Sequence, residues 1–517
     1  MDLVTAKEMQ RMDFLTIDSF GIPGRVLMES AGRGAADFFI EKFSCSEIKK
    51  VGVVAGKGNN GGDGFVIARY LAQKKFIVTV YLLSEKNEVK GDAEANLKLL
   101  APLDIPVVEL IDKTVFADYQ TSMVHQDIWI DAILGTGLQS DVKGFFKIII
   151  EFINNLKKPV FAVDIPSGLN SETGVPCGVC IKADATATFA FAKPGHFLFP
   201  GAHYTGELKT VDIGIPAHIA KQVNPKQYLL TRDSICNSVL QRAPEAHKGT
   251  SGHLLVIAGS TGKTGAAALT ATSAMRTGAG LVSVAVPGSL NSIMEGLVVE
   301  AMTHPLPESR EGLLGIPAFE KIMELLSGKQ CLAIGPGLGT DSETKELIRS
   351  VISKSPVPVV LDADALNSIA ENPGILQHLK IPAILTPHPG EMGRLINKTP
   401  GEINQDKIGY ARDFAVRHNV YLVLKGARTV IANPDGRVYL NHTGNSGMAS
   451  GGMGDVLTGI IAGLVTQGYP PGAAARMGVY LHGSAADQLF SSLKGPFGFL
   501  ASDLMTCIPS ALAAVVL

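Results

Sequence analysis

The chain has 517 residues, 46% hydrophobic and 18% charged, with a formal net charge of −2. That length calls for two or more domains with separate cores, and the composition is that of a globular α/β protein, not a disordered chain. The near-neutral balance argues against nucleic-acid and anionic-membrane binding, and six cysteines in so long a chain exclude a disulfide framework.

The first 24 residues carry Asp2, Lys7, Glu8, Arg11, Asp13 and Asp18, which leaves no apolar core for a signal peptide. No apolar run is long enough to span a bilayer, so a cytoplasmic protein is expected. Short apolar runs then alternate with helical patterns, the signature of βαβ units and parallel sheets. In the first half the runs fall at 51–55, 77–83, 128–134 and 160–163.

Open parallel sheets bind ligands beyond the carboxyl ends of their strands, so the residues after each run carry the information. Run 51–55 leads into Gly56-Lys-Gly-Asn-Asn-Gly-Gly-Asp-Gly64 and a helical pattern over 65–71. This loop is neither GxGxxG nor GxxxxGK[ST], yet its backbone N–H groups can cradle phosphate at a helix N-terminus. Run 128–134 contains Asp131 and leads into Gly135-Thr-Gly-Leu-Gln-Ser-Asp141; run 160–163 leads into Asp164-Ile-Pro-Ser-Gly168. Three polar, glycine-bearing loops thus converge on one rim. Asp131 and Asp164 read either as turn-forming or capping residues, or as site carboxylates that need a compensating cation or a proton-transfer task.

Cys177-Gly-Val-Cys180 has redox or zinc-ligand spacing, but no second pair or histidine cluster accompanies it, and it reads as a surface-loop coincidence. Cys45, Cys236, Cys331 and Cys507 read as small apolar residues. Residues 210–216 look like a closing strand, prolines and polar residues interrupt the pattern over 216–244, and the domain boundary is placed between 222 and 223.

Second-half runs fall at 254–258, 282–286, 332–334, 357–361, 383–385 and 421–424. The first leads into Gly259-Ser-Thr-Gly-Lys-Thr-Gly265, which lacks P-loop spacing, and then a helix beginning near Ala266. The others lead into Gly335-Pro-Gly-Leu-Gly339, Asp362-Ala-Asp364, Thr386-Pro-His-Pro-Gly-Glu391 and Lys425-Gly-Ala-Arg-Thr429. His388, stiffened between two prolines, can hold a phosphate or a ring, and Lys425 brings positive charge suited to a nucleotide phosphate. Last comes Gly451-Gly-Met-Gly-Asp455, followed by a helical run over 456–465. The glycines allow N–H groups to face an anion, and the helix N-terminus adds partial positive charge. Asp455 would be repelled by that anion, so its expected task is to act on a proton of the attacking or leaving group. Alternatively the turn merely caps a helix; with the rest of the second half, activation of a hydroxyl by a nucleotide is the reading.

Together these motifs resemble a known family. The second half is similar to the ribokinase-like, ADP-dependent NAD(P)H-hydrate dehydratases through His247-Lys-Gly249, Val256-Ile-Ala-Gly-Ser260, Gly335–Gly339, Leu361-Asp-Ala-Asp-Ala-Leu366, Thr386–Glu391, Lys425-Gly426 and Gly451–Asp455. The first half resembles the NAD(P)H-hydrate epimerase domain through Leu27-Met-Glu-Ser-Ala-Gly32, Gly58–Gly64, Asp131, Gly135–Gly137 and Asp164–Gly168.

The resemblance implies an N-terminal Rossmann-like three-layer α/β domain over 1–222 and a C-terminal ribokinase-like α/β/α domain over 223–517. It implies repair of hydrated NADH and NADPH: the R and S hydrates are interconverted, and the S form is dehydrated at the expense of ADP, giving AMP and phosphate. It implies a potassium ion held by Asn60, Asp131 and Ser167. The hydrated dinucleotide would contact Asn59, Asn60, Gly61, Gly62, Asp63, Gly135, Thr136, Gly137, Leu138, Gln139, Ser140, Asp141 and Asp164, with Asp131 or Asp164 moving protons. In the dehydratase, Ala266, Gly337, His388 and the proton acceptor Asp455 would face the hydrate. Lys425, Gly426, Ala427, Arg428, Thr429 and Gly454 would bind the nucleotide, with Mg2+ bridging its phosphates. A homo-oligomer is expected. The rival is a ribokinase-like small-molecule kinase fused to a dinucleotide- or protein-binding domain. A stable phosphorylated product would mark the kinase, and intact Asn60, Asp131 and Asp164 argue against a protein-binding module.

Overall fold

The computed structural model describes residues 1–43, 48–138 and 140–516. Cys45 and Gln139 therefore lie outside the described residues. The chain divides into two compact units, 2–227 and 228–517, the second also including Met1. The division falls after Gln227, against 222 in the reading of the sequence.

The first unit is built on a parallel sheet of β1 (Lys50–Ala55), β2 (Ile77–Leu82), β3 (Val107–Glu109), β4 (Ile128–Ala132), β5 (Val160–Val163), β6 (Ala185–Phe189) and β7 (Glu207–Val211). Their spatial order is β3-β2-β1-β4-β5-β6-β7. Val51, Val53, Ile130 and Phe161 face Phe38 and Phe39 of helix α2 (Gly24–Phe43) and Phe65 of α3 (Asn59–Gln73). The other face packs Val54 and Trp129 against Ile149, Ile150 and Ile153 of α4 (Gly144–Asn155). Burial on both faces explains why these strands read as unbroken apolar runs. The order reverses between β1 and β4, so the loops that follow them part and leave a crevice at the carboxyl edge.

In the second unit, β8 (His253–Ile257), β9 (Leu281–Pro287), β10 (Met302–Leu306), β11 (Cys331–Ile334), β12 (Val359–Leu361), β13 (Ala383–Leu385) and β14 (Tyr421–Leu424) are parallel, while β15 (Val430–Ala432) and β16 (Val438–Leu440) extend the sheet antiparallel. The order is β10-β9-β8-β11-β12-β13-β14-β15-β16. Ala333, Val360, Ile384 and Val423 belong to one apolar cluster with helices α5 (Thr264–Thr277), α9 (Met453–Thr466), α10 (Pro471–Leu493) and α11 (Ala501–Val516). The alternate residues Leu332, Val359, Leu385 and Leu422 are equally buried. Helices therefore cover both faces; α6 (Ser342–Lys354), α7 (Pro389–Ile396) and α8 (Lys407–His418) complete the layers. Helices α5 and α9 touch backbone to backbone: a Cβ on Gly459 would fall 2.2 Å from the Thr270 carbonyl oxygen. This contact sets the two helix N-termini side by side. Among the described residues, no helix is long and apolar enough to cross a membrane.

The closing strand expected at 210–216 is β7, which ends at Val211 and gives way to a loop and the helix Ala217–Val223. Strands β3, β6, β10, β15 and β16 had no counterpart in the sequence reading.

Candidate active sites

In the first unit a cleft of about 590 Å3 opens at the sheet's reversal point, lined by Asn59, Asn60, Asp63, Gly135, Thr136, Gly137 and Asp164 together with Asp13, Met28 and Lys193. The loop after β1 turns into α3 so tightly that a Cβ on Gly61 would lie 1.9 Å from the Gly56 carbonyl oxygen. Gly62 packs against Met28 and Ala93, so both glycines serve close packing. Leu138 joins the apolar cluster around Trp129, Ser140 lies in the bend that follows, and Asp141 lies against Gly178.

Asp131, at the end of β4, is 1% exposed. Its Oδ2 accepts from the Ser167 N–H at 2.7 Å, and its Oδ1 accepts from the Ser167 hydroxyl at 2.6 Å and the Ile133 N–H at 3.3 Å. Burial pushes this carboxyl up to about 6, against the pull of those bonds. The Ser167 hydroxyl also accepts from the Leu134 N–H at 2.8 Å, which ties the loops after β4 and β5 together. In the loop after β4, a Cβ on Gly135 would lie 3.5 Å from Asn60, both of whose amide atoms are buried without a hydrogen-bond partner among the described residues. An orphaned amide against the loop that Asp131 and Ser167 hold in place is polar capacity open to an oxygen-seeking cation.

Asp164 follows β5 in the left-handed region, at φ 64°, a strained conformation for a non-glycine residue. Its Oδ1 accepts from Lys193 Nζ at 2.5 Å and from the Thr188 hydroxyl at 3.0 Å. Lys193 is wholly buried and also donates to Thr188 Oγ1 at 2.9 Å. Burial raises the Asp164 carboxyl, but the Lys193 ammonium outweighs it and holds the group below the usual carboxylate range. His196 accepts the Lys193 N–H at Nδ1 (3.1 Å), so its Nε2 donates to the Asp164 carbonyl at 3.0 Å. Burial keeps this imidazole neutral, lowering it to about 3. Two further carboxyls face the cluster: burial pushes Asp63 well above the ordinary range and Asp13 up to about 6. Asp13, Lys193 and His196 were not among the site residues expected from the motifs.

Cys180 is buried in a small cluster with Ile165 and Leu169, its thiol donating to the Ile181 carbonyl at 3.2 Å. Burial raises both Cys177 and Cys180, which keeps the thiols protonated and poor nucleophiles.

In the second unit the loops after β8, β11, β12, β13 and β14 meet the N-termini of α5 and α9. Gly452, at φ 86°, is the N-cap of α9, in a conformation that favours glycine. Asp455 lies in that helix's first turn. Thr270 of α5 donates to both the Ala266 carbonyl (2.9 Å) and the Asp455 carbonyl (3.2 Å). A Cβ on Gly337 would sit 3.2 Å from that of Ala266. Ala266, Gly337 and Asp455 are thus brought together.

Beside them Lys425 Nζ is 2.6 Å from Asp362 Oδ1 and 3.9 Å from Glu391 Oε2. A Cβ on Gly454 would lie 3.3 Å from Lys425 Nζ. The Thr458 hydroxyl donates to Asp362 Oδ2 at 2.8 Å. Asp364 accepts from the Gly339 N–H at 2.9 Å and lies 3.6 Å from Lys263 Nζ. Between the two aspartates, Ala363 is strained at φ 48°. Burial, then the charges of Asp362 and Asp364, push Asp455 up to about 7 against the pull of Lys425. His388 caps α7: its Nδ1 accepts from the Gly390 N–H at 3.0 Å and the Glu391 N–H at 3.3 Å, and its Nε2 lies 3.4 Å from Glu391 Oε1. Its side chain remains 51% exposed. Arg428 donates to the His442 carbonyl, Thr429 to the Gly426 carbonyl at 3.2 Å, and the Ala427 carbonyl accepts from Lys407 at 3.4 Å. These bonds fix the loop after β14. Asp362 and Glu391 stood in recognised motifs without a role; the signal for Glu391 was its position three residues after His388.

The arrangement pairs an anion-binding helix terminus with a carboxyl whose proton affinity lies near neutrality. The family described as NAD(P)H-hydrate dehydratase matches residues 254–510, and that described as YjeF-related protein N-terminus matches residues 24–195. The bifunctional NAD(P)H-hydrate repair enzyme Nnr of Moorella thermoacetica is 41% identical over 511 residues, 98% of this chain and 96% of that protein. The protein of the same name from Escherichia coli is 34% identical over 97% of this chain and 92% of its own length. A solved structure of the ADP/ATP-dependent NAD(P)H-hydrate dehydratase from Bacillus subtilis, co-crystallised with ATP and Mg2+, is 31% identical, covers 56% of this chain and 98% of that one, and has a TM-score of 0.48.

Proposed function

The chain belongs to the family of bifunctional NAD(P)H-hydrate repair enzymes, and from that premise we propose that its first unit interconverts the R and S hydrates of NADH and NADPH while its second dehydrates the S form at the expense of ADP. The observation that carries the dehydratase reading is Asp455, raised to about 7 in the first turn of α9 beside the glycine turn and Lys425. A base working near neutral pH needs that proton affinity.

Asp455 takes the proton of the C6 hydroxyl, whose oxygen attacks the terminal phosphoryl group of ADP as AMP leaves. Backbone N–H groups of Gly451–Gly454 and the start of α9 stabilise the charge that develops on the phosphoryl oxygens. Phosphate then leaves C6 with the C–O electron pair, pushed by the ring nitrogen, and loss of the C5 proton restores the double bond. Ala266 and Gly337 leave room for the ring, and His388 borders it. Lys425 to Thr429 hold the nucleotide.

Lys425 faces three carboxyl groups, Asp362, Glu391 and Asp455, an excess of oxygen ligands that suits Mg2+. Among the described residues no group of three or more His, Cys, Asp or Glu side chains is placed to hold a metal ion by itself. Mg2+ needs none, since it takes one or two carboxylates plus substrate phosphates. Glu391 and Asp362 would hold it, and it would neutralise charge on the nucleotide.

In the first unit the orphaned amide of Asn60, with Asp131 and Ser167, fits a potassium ion, which would offset the buried carboxylate and fix the loops around the dinucleotide. Asn59, Asn60, Asp63 and Gly135–Gly137 contact the substrate. Asp164, kept ionised by Lys193, is the base. The test is stoichiometric: purified S hydrate, ADP and Mg2+ should yield NADH, AMP and phosphate in equal amounts, whereas a stable phosphorylated dinucleotide would establish the kinase reading instead.

A further inference from the structure

Inverting C6 by opening and reclosing the ring needs a base at the C6 hydroxyl and an acid at the ring nitrogen. Asp164 meets the first need, and Asp131 is tied down by Ser167 and Ile133. We propose that Asp13, on helix α1 (Ala6–Phe14), is the acid that works opposite Asp164. This rests on the epimerase reading of the first unit.

Asp13 lines the same cleft as Asn59, Asn60, Asp63, Asp164 and Lys193, although it comes from none of the strand-end loops. It is half-buried, open to proton exchange, and its carboxyl makes no hydrogen bond or ion pair among the described residues. The other ionisable groups lining this cleft have partners or are driven to the protonated form: Lys193 is paired with Asp164, Lys57 with Glu88 at 3.0 Å, Asp92 lies 4.0 Å from Arg25, and burial pushes Asp63 toward its protonated form. Burial dominates at Asp13 and leaves it at about 6, with Lys193 lowering it and Asp164 raising it, and Asp13 in turn raises Asp63. Of the described elements packed most closely on α1, the turn 15–20 and the helix Ala217–Val223, the ionisable residues are Asp18, His218 and Lys221, all exposed.

In the step, Asp164 takes the hydroxyl proton and the oxygen forms a carbonyl at C6. The C6–N1 bond breaks, its electron pair stays on N1, and N1 receives the proton of Asp13. Rotation about C5–C6 presents the other face. N1 re-adds, its proton returns to Asp13, and Asp164 gives its own back to oxygen. Nothing is consumed.

The test uses the full chain with R-NADH hydrate, K+ and no ADP, following R-to-S conversion. Asp13→Asn should lower kcat about 100-fold with KM changed less than about two-fold, leave dehydration of the S form intact, and regain part of the rate in Asp13→Glu. A kcat within about three-fold of wild type, or a loss confined to KM, overturns the proposal. Should the Asn variant destabilise the first unit, the pH profile of Asp13→Glu decides: a moved limb near pH 6 supports the assignment, and an unmoved one overturns it. A wild-type chain that leaves the R hydrate untouched overturns the epimerase reading, and this assignment with it.

Discussion

Replacing Asp455 by asparagine should abolish dehydration and yet stabilise the second unit, and the two effects have one cause. The carboxyl is raised from 3.8 to about 7, chiefly by burial and then by Asp362 and Asp364. For an acid whose folded pKa exceeds its unfolded one, the native state binds the extra proton, so stability falls as pH rises between the two values. The penalty is absent below about pH 4, grows across the window, and is complete above about pH 7. At about 1.4 kcal/mol per pH unit, a window of about three units costs on the order of 4 kcal/mol. Asparagine keeps the shape without the charge. Thermal unfolding without nucleotide should therefore show similar Tm values for Asp455→Asn and wild type near pH 4, and a variant more stable by several degrees at pH 8. Recovery of NADH absorbance from the S hydrate should fall at least about 100-fold, and the wild-type rate should rise through pH 7. Equal Tm differences at both pH values, or near-normal dehydration by the variant, would refute the reasoning.

Lys425→Met strands the buried Asp362 carboxylate and should cost about 3–5 kcal/mol in denaturant unfolding. It also removes the charge that lowers Asp455, so the pH–rate limb of any residual activity should move above 7. Lys193→Met leaves burial unopposed at Asp164, whose carboxyl then rises; epimerisation should collapse at pH 7 and recover partly as pH is raised, while dehydration of the S hydrate stays unchanged. KCl should raise the Tm of the first unit in wild type by binding the folded state, and Asn60→Leu should erase that shift.

The long strands were legible because parallel strands buried on both faces leave unbroken runs such as 51–55 and 421–424. The missed ones lack that mark. Strand β6 is Ala185-Thr-Ala-Thr-Phe189, whose threonines break the apolar run, and β3, β15 and β16 are three residues each without the family motifs that follow the equally short β12 and β13. Missing β6 hid the loop after it, and with it Lys193, the buried partner of Asp164. The same rule that found Asp131 and Asp164 at strand ends would have found that lysine. Asp13 was beyond such reasoning: it comes from a helix near the N-terminus, and only the tertiary fold brings it to the cleft. In the second unit, Asp455 and Lys425 were legible from glycine and strand-end patterns. That Lys425 is held by Asp362 and Glu391 depends on the pairing of β12, β13 and β14, which spacing along the chain does not encode.

The most direct test of both units mixes the R and S hydrates of NADH with the full chain, ADP, Mg2+ and K+, and follows NADH absorbance. Recovery of the whole mixture is expected, fast for the S fraction and then at the rate of epimerisation for the R fraction. Recovery of the S fraction alone, with the remainder decaying only at its spontaneous rate, would contradict an active epimerase. No recovery, with phosphate transferred stably to some other alcohol, would contradict the account as a whole.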